Sequence, residues 1–186
     1  KIRYPDVFAE NERVVELEGE AYFDVAKNPA RPFIVKTTQS EIKVTGTKFN
    51  ITSYPDDGFE QVTLEEGSVQ VKRKGEVFKL TPGRQYFLDK KSEEIVLADV
   101  DPILFTSWKD GLFRFQNMDM LNLSKKISRW YDIRFDFKDE RSKKLRFSGA
   151  FDRKSSLDEF VKIMESTTDV RFKLDGNTVF ISQTER

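Results

Sequence analysis

The sequence predicts a mainly β protein with two domains, an all-β domain over residues 1–102 and a small α+β domain over residues 103–186. Three observations predict this fold class. Apolar and polar residues alternate from Arg13 to about Leu97, whereas helical spacing of apolar residues begins only after Pro102. The segment after Pro102 also contains an internal duplication. A chain of 186 residues has room for two domains of this size.

The strands of the all-β domain are short runs of β-branched and aromatic residues, separated by clusters that break regular structure. The runs are Tyr22–Val25, Phe33–Val35, Ile42–Val44, Phe49–Ile51, Val62–Leu64 and Val69–Val71, and the breakers are Asn28-Pro29, Pro55–Gly58, Lys74-Gly75 and Pro82-Gly83. The segment Glu18–Phe23 resembles Glu66–Val71, which favours a solenoid-like repeat, but a sandwich explains the same strands. The domain is therefore predicted to be solenoid-like or sandwich-like.

The α+β domain is predicted to contain two amphipathic helices. The apolar positions of the first are Met120, Leu123, Ile127 and Trp130, and those of the second are Leu157, Phe160, Val161 and Met164. We expect Asn117 or Asp119 to cap the start of the first helix. Ser155 or Ser156 is expected to cap the second.

Strands are expected on both sides of each helix. They are Leu112–Phe115, Ile133–Phe137, Leu145–Phe151, Val170–Leu174 and Val179–Ile181. The turn residues Asp175–Asn177 predict that the last two strands form a hairpin. Asp132–Phe135 recurs as Asp169–Phe172, at the same spacing that relates the apolar positions of the two helices. The domain is therefore predicted to be a duplicated β-α-β structure.

Composition removes several classes of chemistry. The chain has no Cys and no His, which excludes disulfides, thiolate nucleophiles, and catalytic or metal sites built on histidine. Lys+Arg and Asp+Glu are equal at 32 each, without the basic excess typical of nucleic-acid binding. No apolar stretch reaches the roughly 20 residues of a membrane-spanning helix, and no signal peptide opens the chain. We interpret the sequence as a trimmed fragment of a longer protein.

The carboxylates of the sequence do not form a catalytic pattern. The pairs Asp56-Asp57, Glu65-Glu66 and Glu93-Glu94 are chain neighbours, which point to opposite faces of a strand or into solvent at a turn. A glycosidase pair must instead converge across a cleft. The phosphate-loop and calcium-loop motifs are also missing from the sequence. We expect no enzymatic turnover, no cofactor and no bound metal.

Two aromatic clusters are candidates for partner binding. Trp108 and Lys109 form the first, and Arg129 and Tyr131 flank Trp130 in the second. Arg, Trp and Tyr are enriched at binding hot spots. Trp130 itself falls on the apolar stripe of its helix, so we assign it to the core. Trp108 stands at the junction of the two domains, where packing between domains is an equal alternative.

The sequence resembles the FecR family in the form that is common among Bacteroidetes. Members of this family are inner-membrane regulators of extracytoplasmic sigma factors. The segments that carry the resemblance to the FecR domain are Arg13–Val25, Pro32–Val35, Val44–Ile51, Leu64–Val69 and Leu80–Gly83. Trp108–Gly111, Arg129–Tyr131 and Phe147–Phe151 resemble the domain that follows it in such proteins. The segments cover nearly the whole chain in the expected order.

The resemblance implies a periplasmic, protein-binding role. In this family a cytoplasmic segment binds an extracytoplasmic-function (ECF) sigma factor, one span crosses the inner membrane, and the periplasmic region receives a signal. Only the periplasmic region resembles this chain. The implied partner is the periplasmic signalling domain of a TonB-dependent outer-membrane transporter. The duplicated domain looks like the secretin/TonB short N-terminal fold of such transporters, so docking of like with like, by strand addition at a sheet edge, is our leading hypothesis.

The resemblance also draws attention to Gly46-Thr47. Some family members cleave their own chain at a Gly-Thr bond. The Thr47 hydroxyl would attack the preceding carbonyl carbon, giving an ester that water opens. In the structural alternative, Gly46 turns or bulges a strand and Thr47 is a good strand former. We favour the structural role.

A carbohydrate- or envelope-binding β-rich module is the alternative from another functional class. Such modules bind glycans through aromatic side chains on an open face, whereas most aromatic residues here follow a core-facing period. An enzyme such as a glycosidase is a distant third interpretation.

Overall fold

The structure, a computed structural model, describes residues 1–166, 168 and 170–183. The chain forms two compact units, the first spanning Lys1–Thr106 and the second beginning at Ser107. The division follows a short helix, α1 (Ile103–Thr106), rather than Pro102. Among the described residues, no helix has the length and apolar character that crossing a membrane requires.

The first unit is built from two β-sheets. Its strands in chain order are β1 (Ile2–Arg3), β2 (Arg13–Leu17), β3 (Gly19–Val25), β4 (Phe33–Lys36), β5 (Glu41–Val44), β6 (Thr47–Ser53), β7 (Phe59–Glu66), β8 (Val69–Arg73), β9 (Glu76–Leu80), β10 (Arg84–Asp89) and β11 (Ile95–Asp99). One sheet has the order β1-β2-β4-β5-β8-β9, and the other has the order β11-β10-β7-β6-β3. Neighbouring strands are antiparallel except β2 and β4, which are parallel.

Both sheets of the first unit bury their inner faces in one core. Alternate residues of β5 and β8, such as Ile42 and Val71, are fully buried on the inner face of the first sheet. Phe49, Val62 and Leu88 belong to the same core and come from the second sheet. Because the period of a strand is two residues, strands such as β5 and β8 alternate buried apolar residues with exposed or half-exposed polar ones. The unit is therefore a sandwich with a single core.

The solenoid-like repeat predicted from Glu18–Phe23 and Glu66–Val71 is not a repeated coil. Gly19 leads from β2 of the first sheet into β3 of the second, whereas Gly67 leads from β7 of the second sheet back to β8 of the first. Both glycines have positive φ angles, +114° and +93°. The two segments share a similar sequence because each lies where the chain changes sheets, in opposite directions.

The second unit alternates strands and helices. After a 3₁₀ turn at Ser107–Asp110, its elements are β12 (Leu112–Asp119), α2 (Met120–Tyr131), β13 (Arg134–Phe137), α3 (Glu140–Lys143), β14 (Arg146–Asp152), α4 (Leu157–Ser166), β15 (Val170–Asp175) and β16 (Thr178–Gln183). β12 and β14 form an antiparallel two-stranded sheet. In the other sheet β16 lies between β13, which is parallel to it, and β15, which is antiparallel.

The duplication predicted from the sequence shapes this unit. The first strands of the two copies, β12 and β14, pair with each other, and the second strands, β13 and β15, flank β16. Leu123 and Ile127 of α2 share one core with Phe160 and Met164 of α4 and with side chains of both sheets. Asp169 of the repeated motif lies outside the described residues. The two copies are thus interleaved across two sheets.

The boundaries of the helices agree with the predicted caps. Asp119 caps α2 and accepts a hydrogen bond from the Asn122 amide at 2.9 Å. Ser156 caps α4: its hydroxyl accepts from the Glu159 amide at 3.2 Å, and the Glu159 carboxylate accepts from the Ser156 amide at 3.1 Å. The α3 helix was not predicted from the sequence, because a single charged turn has no apolar period.

Leu123→Ala should destabilise the second unit by about 2–5 kcal/mol, because Leu123 is fully buried and the substitution leaves a cavity. Leu121→Ala is the matched control on the same helix, since Leu121 is 40% exposed and should cost less than about 0.5 kcal/mol. Urea unfolding followed by tryptophan fluorescence measures this, because both tryptophans, Trp108 and Trp130, lie in the second unit. Equal losses for the two variants would contradict the packing described.

Candidate functional site

The four residues predicted to bind a partner lie on two elements of the second unit. Trp108 and Lys109 are in the 3₁₀ turn, and Arg129 and Tyr131 are in the last turn of α2. Lys109 is exposed and forms an ion pair with Asp110 at 2.6 Å. The other three are half-buried, which is typical of residues that combine packing with an accessible polar group.

A chain of hydrogen bonds brings the two elements together. The Gly111 amide donates to the Trp108 carbonyl at 3.0 Å, and the Arg153 amide donates to the Gly111 carbonyl at 2.8 Å. The Tyr131 hydroxyl donates to the carbonyl of Ser155 at 2.6 Å. The loop between β14 and α4 is therefore bonded both to the segment that follows the Trp108 turn and to the end of α2.

These contacts bring Trp108, Tyr131 and Arg153 together, and with Lys109 and Arg129 of the same two elements we call this region the Trp108–Tyr131 surface. Sequence reasoning missed Arg153, which stands between a strand and a helix without any periodic signal. In the structure its guanidinium lies over the Trp130 ring at 5.8 Å from the centroid, within range of a cation–π interaction. The structure thus places the predicted residues at the same end of the unit and adds a cation among them.

Trp130 packs against the core, as the sequence predicted. Its ring meets Phe113 in a T-shaped contact with centroids 5.5 Å apart, and it contacts the buried cluster of the second unit. Because Arg153 approaches the same ring, Trp130 joins the core to the exposed cation of the surface. It therefore supports the Trp108–Tyr131 surface from below.

Tyr131 is held as a hydrogen-bond donor. Partial burial raises the pKa of its phenol, and the nearby carboxylates of Asp152 and Glu159 raise it further, while Arg153 opposes them. The hydroxyl therefore stays protonated at neutral pH and keeps its bond to the Ser155 carbonyl. Its ring also contacts Phe151 at 6.1 Å between centroids. Tyr131 fixes the β14–α4 loop in addition to lying on the surface.

Gly46 and Thr47 lie where the chain passes from β5 into β6. Gly46 has a φ of +152°, and a Cβ built on it would lie 2.6 Å from Lys27 Cα. A Cβ on Gly67 would lie 2.6 Å from the Gly46 carbonyl oxygen. The buried Thr47 hydroxyl donates to the Ser68 carbonyl at 2.9 Å. Two of the points where the chain changes sheets, β5 to β6 and β7 to β8, are therefore packed directly against each other, without room for side chains at either glycine.

The adjacent carboxylates of the sequence have separate surroundings. Glu66 pairs with Lys48 at 2.9 Å. Glu93 pairs with Lys74 at 2.5 Å, and this hydrogen bond and the lysine charge lower the pKa of the Glu93 carboxyl. Asp57 is buried in the turn between β6 and β7. Across the described part of the chain, no group of three or more acidic side chains is arranged to hold a metal ion.

Two family models match the chain. The model described as "FecR protein" matches residues 1–70, and the model described as "FecR, C-terminal" matches residues 112–181. The first match falls within the sandwich, and the second runs from the start of β12 into β16. Among proteins with curated descriptions, none matches this chain.

Solved structures of a similar protein cover the same two units. Two crystal structures of a protein assigned as an anti-sigma factor, from Parabacteroides distasonis ATCC 8503, match over 99% of this chain and 86% of theirs. Their sequence identities to this chain are 27% and 28%, with TM-scores of 0.91 and 0.90. The likeness therefore extends through both units.

Gly67→Ala should destabilise the first unit much more than Gly75→Ala. Both glycines have similar positive φ angles, +93° and +89°, so an alanine is strained by about 1 kcal/mol at either position. Only Gly67 also lacks space, because its Cβ would meet the Gly46 oxygen, whereas Gly75 has open surroundings. Thermal unfolding followed by circular dichroism compares the two. Equal shifts of the melting temperature would show that the contact between the two sheet crossings is loose.

Proposed function

The chain belongs to the FecR family, and from this membership we propose that it is the periplasmic, signal-receiving part of a membrane-anchored anti-sigma factor. A role in sigma regulation follows from the family and from the similar anti-sigma factor. The proposed signal comes from the periplasmic signalling domain of a TonB-dependent transporter. The ECF sigma factor would be bound by a cytoplasmic segment of the parent protein, across the inner membrane.

The observation that carries this proposal is the Trp108–Tyr131 surface. It collects a tryptophan, a tyrosine and two arginines, the residue types that contribute most to protein–protein binding. The ring of Trp130 and the bond from Tyr131 to Ser155 hold the surface in place before any partner arrives. Pre-organised contacts lose less conformational entropy on binding, so a rigid surface favours docking of a folded domain.

Strand addition would use the neighbouring β14. This strand pairs with β12 along one edge, and among the described residues no strand pairs with its other edge. Its outward residues Ser148 and Ala150 are small and exposed. An open edge of this kind accepts a strand from another chain through main-chain hydrogen bonds. β14 ends at Asp152, directly before Arg153, so an added strand would run up to the Trp108–Tyr131 surface.

We propose that the chain acts by binding and that Gly46-Thr47 has a structural role. The support is the steric need for Gly46 and the bond from the Thr47 hydroxyl to the Ser68 carbonyl. Carbohydrate binding has less support, since Trp130 and most close aromatic pairs lie in the two cores rather than on an open face.

Purified chain should stay intact during long incubation at neutral pH, because the Thr47 hydroxyl is already bonded to Ser68. Intact-mass spectrometry over several days measures this. Thr47→Ala and Thr47→Ser are the informative variants. A wild-type chain that divides between Gly46 and Thr47, with cleavage lost in Thr47→Ala and kept in Thr47→Ser, would assign the bond a self-cleavage function instead.

Titration calorimetry of the whole chain with the signalling domain of its cognate transporter tests the docking proposal. Arg129→Ala should weaken the complex about tenfold or more, equivalent to about 1.4 kcal/mol, because Arg129 lies on the Trp108–Tyr131 surface. Arg171→Ala is the matched control, since Arg171 is an exposed arginine on β15 of the same unit. It should leave the affinity unchanged.

Two results of this titration would contradict the proposal. Absence of binding at high micromolar concentrations of both proteins would count against the transporter domain as partner. If Arg171→Ala lost affinity and Arg129→Ala did not, the interface would lie at the β15 edge instead of the Trp108–Tyr131 surface. Circular dichroism of both variants controls for unfolding.

A further inference from the structure

A group of polar side chains is buried at one end of the sandwich core in the first unit. Four of their atoms have no hydrogen-bond partner among the described residues: Ser40 Oγ, Glu60 Oε1, Arg73 Nε and Tyr86 OH. Glu60 and Tyr86 are 0% exposed, Ser40 is 7% exposed and Arg73 is 8% exposed. A buried polar atom without a partner is costly, so nearly all such atoms in native proteins are satisfied by protein or by ordered water.

Strand register places the four residues at the same end of the two sheets. In the first sheet Glu41 pairs with Lys72, so the next position along the ladder sets Ser40 beside Arg73. In the second sheet Glu60 pairs with Leu88, and Val62 pairs with Tyr86, which makes Glu60 and Tyr86 diagonal neighbours. Since side chains alternate along a strand, Glu60 shares the inner face of β7 with Val62, and Arg73 shares the inner face of β8 with Val71.

Hydrogen bonds through Glu60 connect the two sheets at this end. Its Oε2 atom accepts from the Thr37 hydroxyl at 2.6 Å and from the Ser53 hydroxyl at 2.7 Å. Thr37 belongs to the turn between β4 and β5 of the first sheet, whereas Ser53 ends β6 of the second. The other carboxylate oxygen, Oε1, is buried and has no donor among the described residues.

Tyr86 is close to the other three residues. Burial raises the pKa of its phenol and the Glu60 carboxylate adds to that rise, while the Ser40 hydroxyl and the Arg73 guanidinium oppose it. All three therefore lie within interaction range of the Tyr86 hydroxyl. The Ser40 and Tyr86 hydroxyls are close enough to act on each other, but their contact does not reach hydrogen-bond geometry, and neither oxygen has another partner among the described residues. Strand register and these interactions therefore place the four residues in one region between the sheets.

We propose that this region is a binding site for ordered water, which bridges Glu60 to Arg73 through the hydroxyls of Ser40 and Tyr86. Glu60 Oε1 can only accept and Arg73 Nε can only donate, while each hydroxyl can do both. A water molecule donates two hydrogen bonds and accepts two, so it matches this set. A metal ion would be repelled by the guanidinium, and an anion would be repelled by the carboxylate.

The site lies where the apolar core of the sandwich ends. Val62 and Val71, its neighbours along β7 and β8, are fully buried apolar residues. Beyond them the two sheets meet through polar side chains. Buried polar atoms that do not reach one another need another hydrogen-bond partner between them. Bound water therefore extends the contact between the sheets to this end of the unit.

A crystal structure of the whole chain at a resolution that shows ordered solvent tests the proposal. We expect at least one buried water with contacts of about 2.8 Å to two or more of the four atoms. Tyr86→Phe should fold and lose at least one of these contacts or the water itself. Tyr4→Phe is the matched control, because Tyr4 is 67% exposed, and it should leave the site unchanged.

Three outcomes would overturn the proposal. The first is a map in which the four atoms bond to one another directly, with no density between them. The second is a density peak with ligand distances near 2.3 Å, which would identify a metal ion. The third is a buried water that has the same position in the wild type and in Tyr86→Phe and contacts none of Ser40, Glu60 and Arg73. Oxygen-17 relaxation of the wild-type chain in solution detects long-lived internal water independently of crystals. The wild-type data decide the question if the variant fails to fold.

Discussion

The first unit depends on the close contact between two of the segments where the chain changes sheets, the one from β5 to β6 and the one from β7 to β8. Gly46 and Gly67 pack so tightly that a Cβ on either would lie 2.6 Å from a backbone atom. The Thr47 hydroxyl closes the contact by donating to the Ser68 carbonyl. Since β5, β6, β7 and β8 all enter or leave through these segments, the contact joins the ends of two neighbouring strands in each sheet. A small residue is required here for steric reasons, whatever else the segments do.

Much of this architecture follows from local sequence. Alternation predicts the strands of the sandwich because one face of each is buried, and helical spacing at Leu123 and Phe160 predicts α2 and α4 for the same reason. Capping residues can be predicted from the sequence because a carboxylate or hydroxyl must accept hydrogen bonds from the free amides of the first turn. The hairpin at Gly176 follows from its turn chemistry, and Gly176 has the expected positive φ of +56°.

Other features depend on contacts between distant residues. The sequence repeat shows two strand–helix–strand copies, but it does not show that β16 lies between β13 and β15, because pairing order is not a local property. Arg153 is held beside Trp130 and Tyr131 by bonds to distant residues, because its amide donates to the Gly111 carbonyl and its carbonyl accepts from the Tyr131 hydroxyl. The hydrogen-bond partners of Glu60 could not be predicted from the sequence either, because Glu60 occupies an inward-facing position of β7 where an apolar residue is expected. The strand order, the position of Arg153 and the partners of Glu60 all depend on pairing between residues far apart in the sequence.

The second unit leaves few places for a partner to bind. Helices α2 and α4 direct the apolar stripes that contain Leu123 and Phe160 into the core that the two sheets share, so these stripes are already covered. The outer faces of the sheets, their open edges and the loops at either end remain accessible. The Trp108–Tyr131 surface lies at one such end, where β14 leads directly into Arg153. Contact through side chains and addition of a strand along β14 are therefore compatible, because a partner strand paired with β14 would bring its own chain to Arg153 and Tyr131.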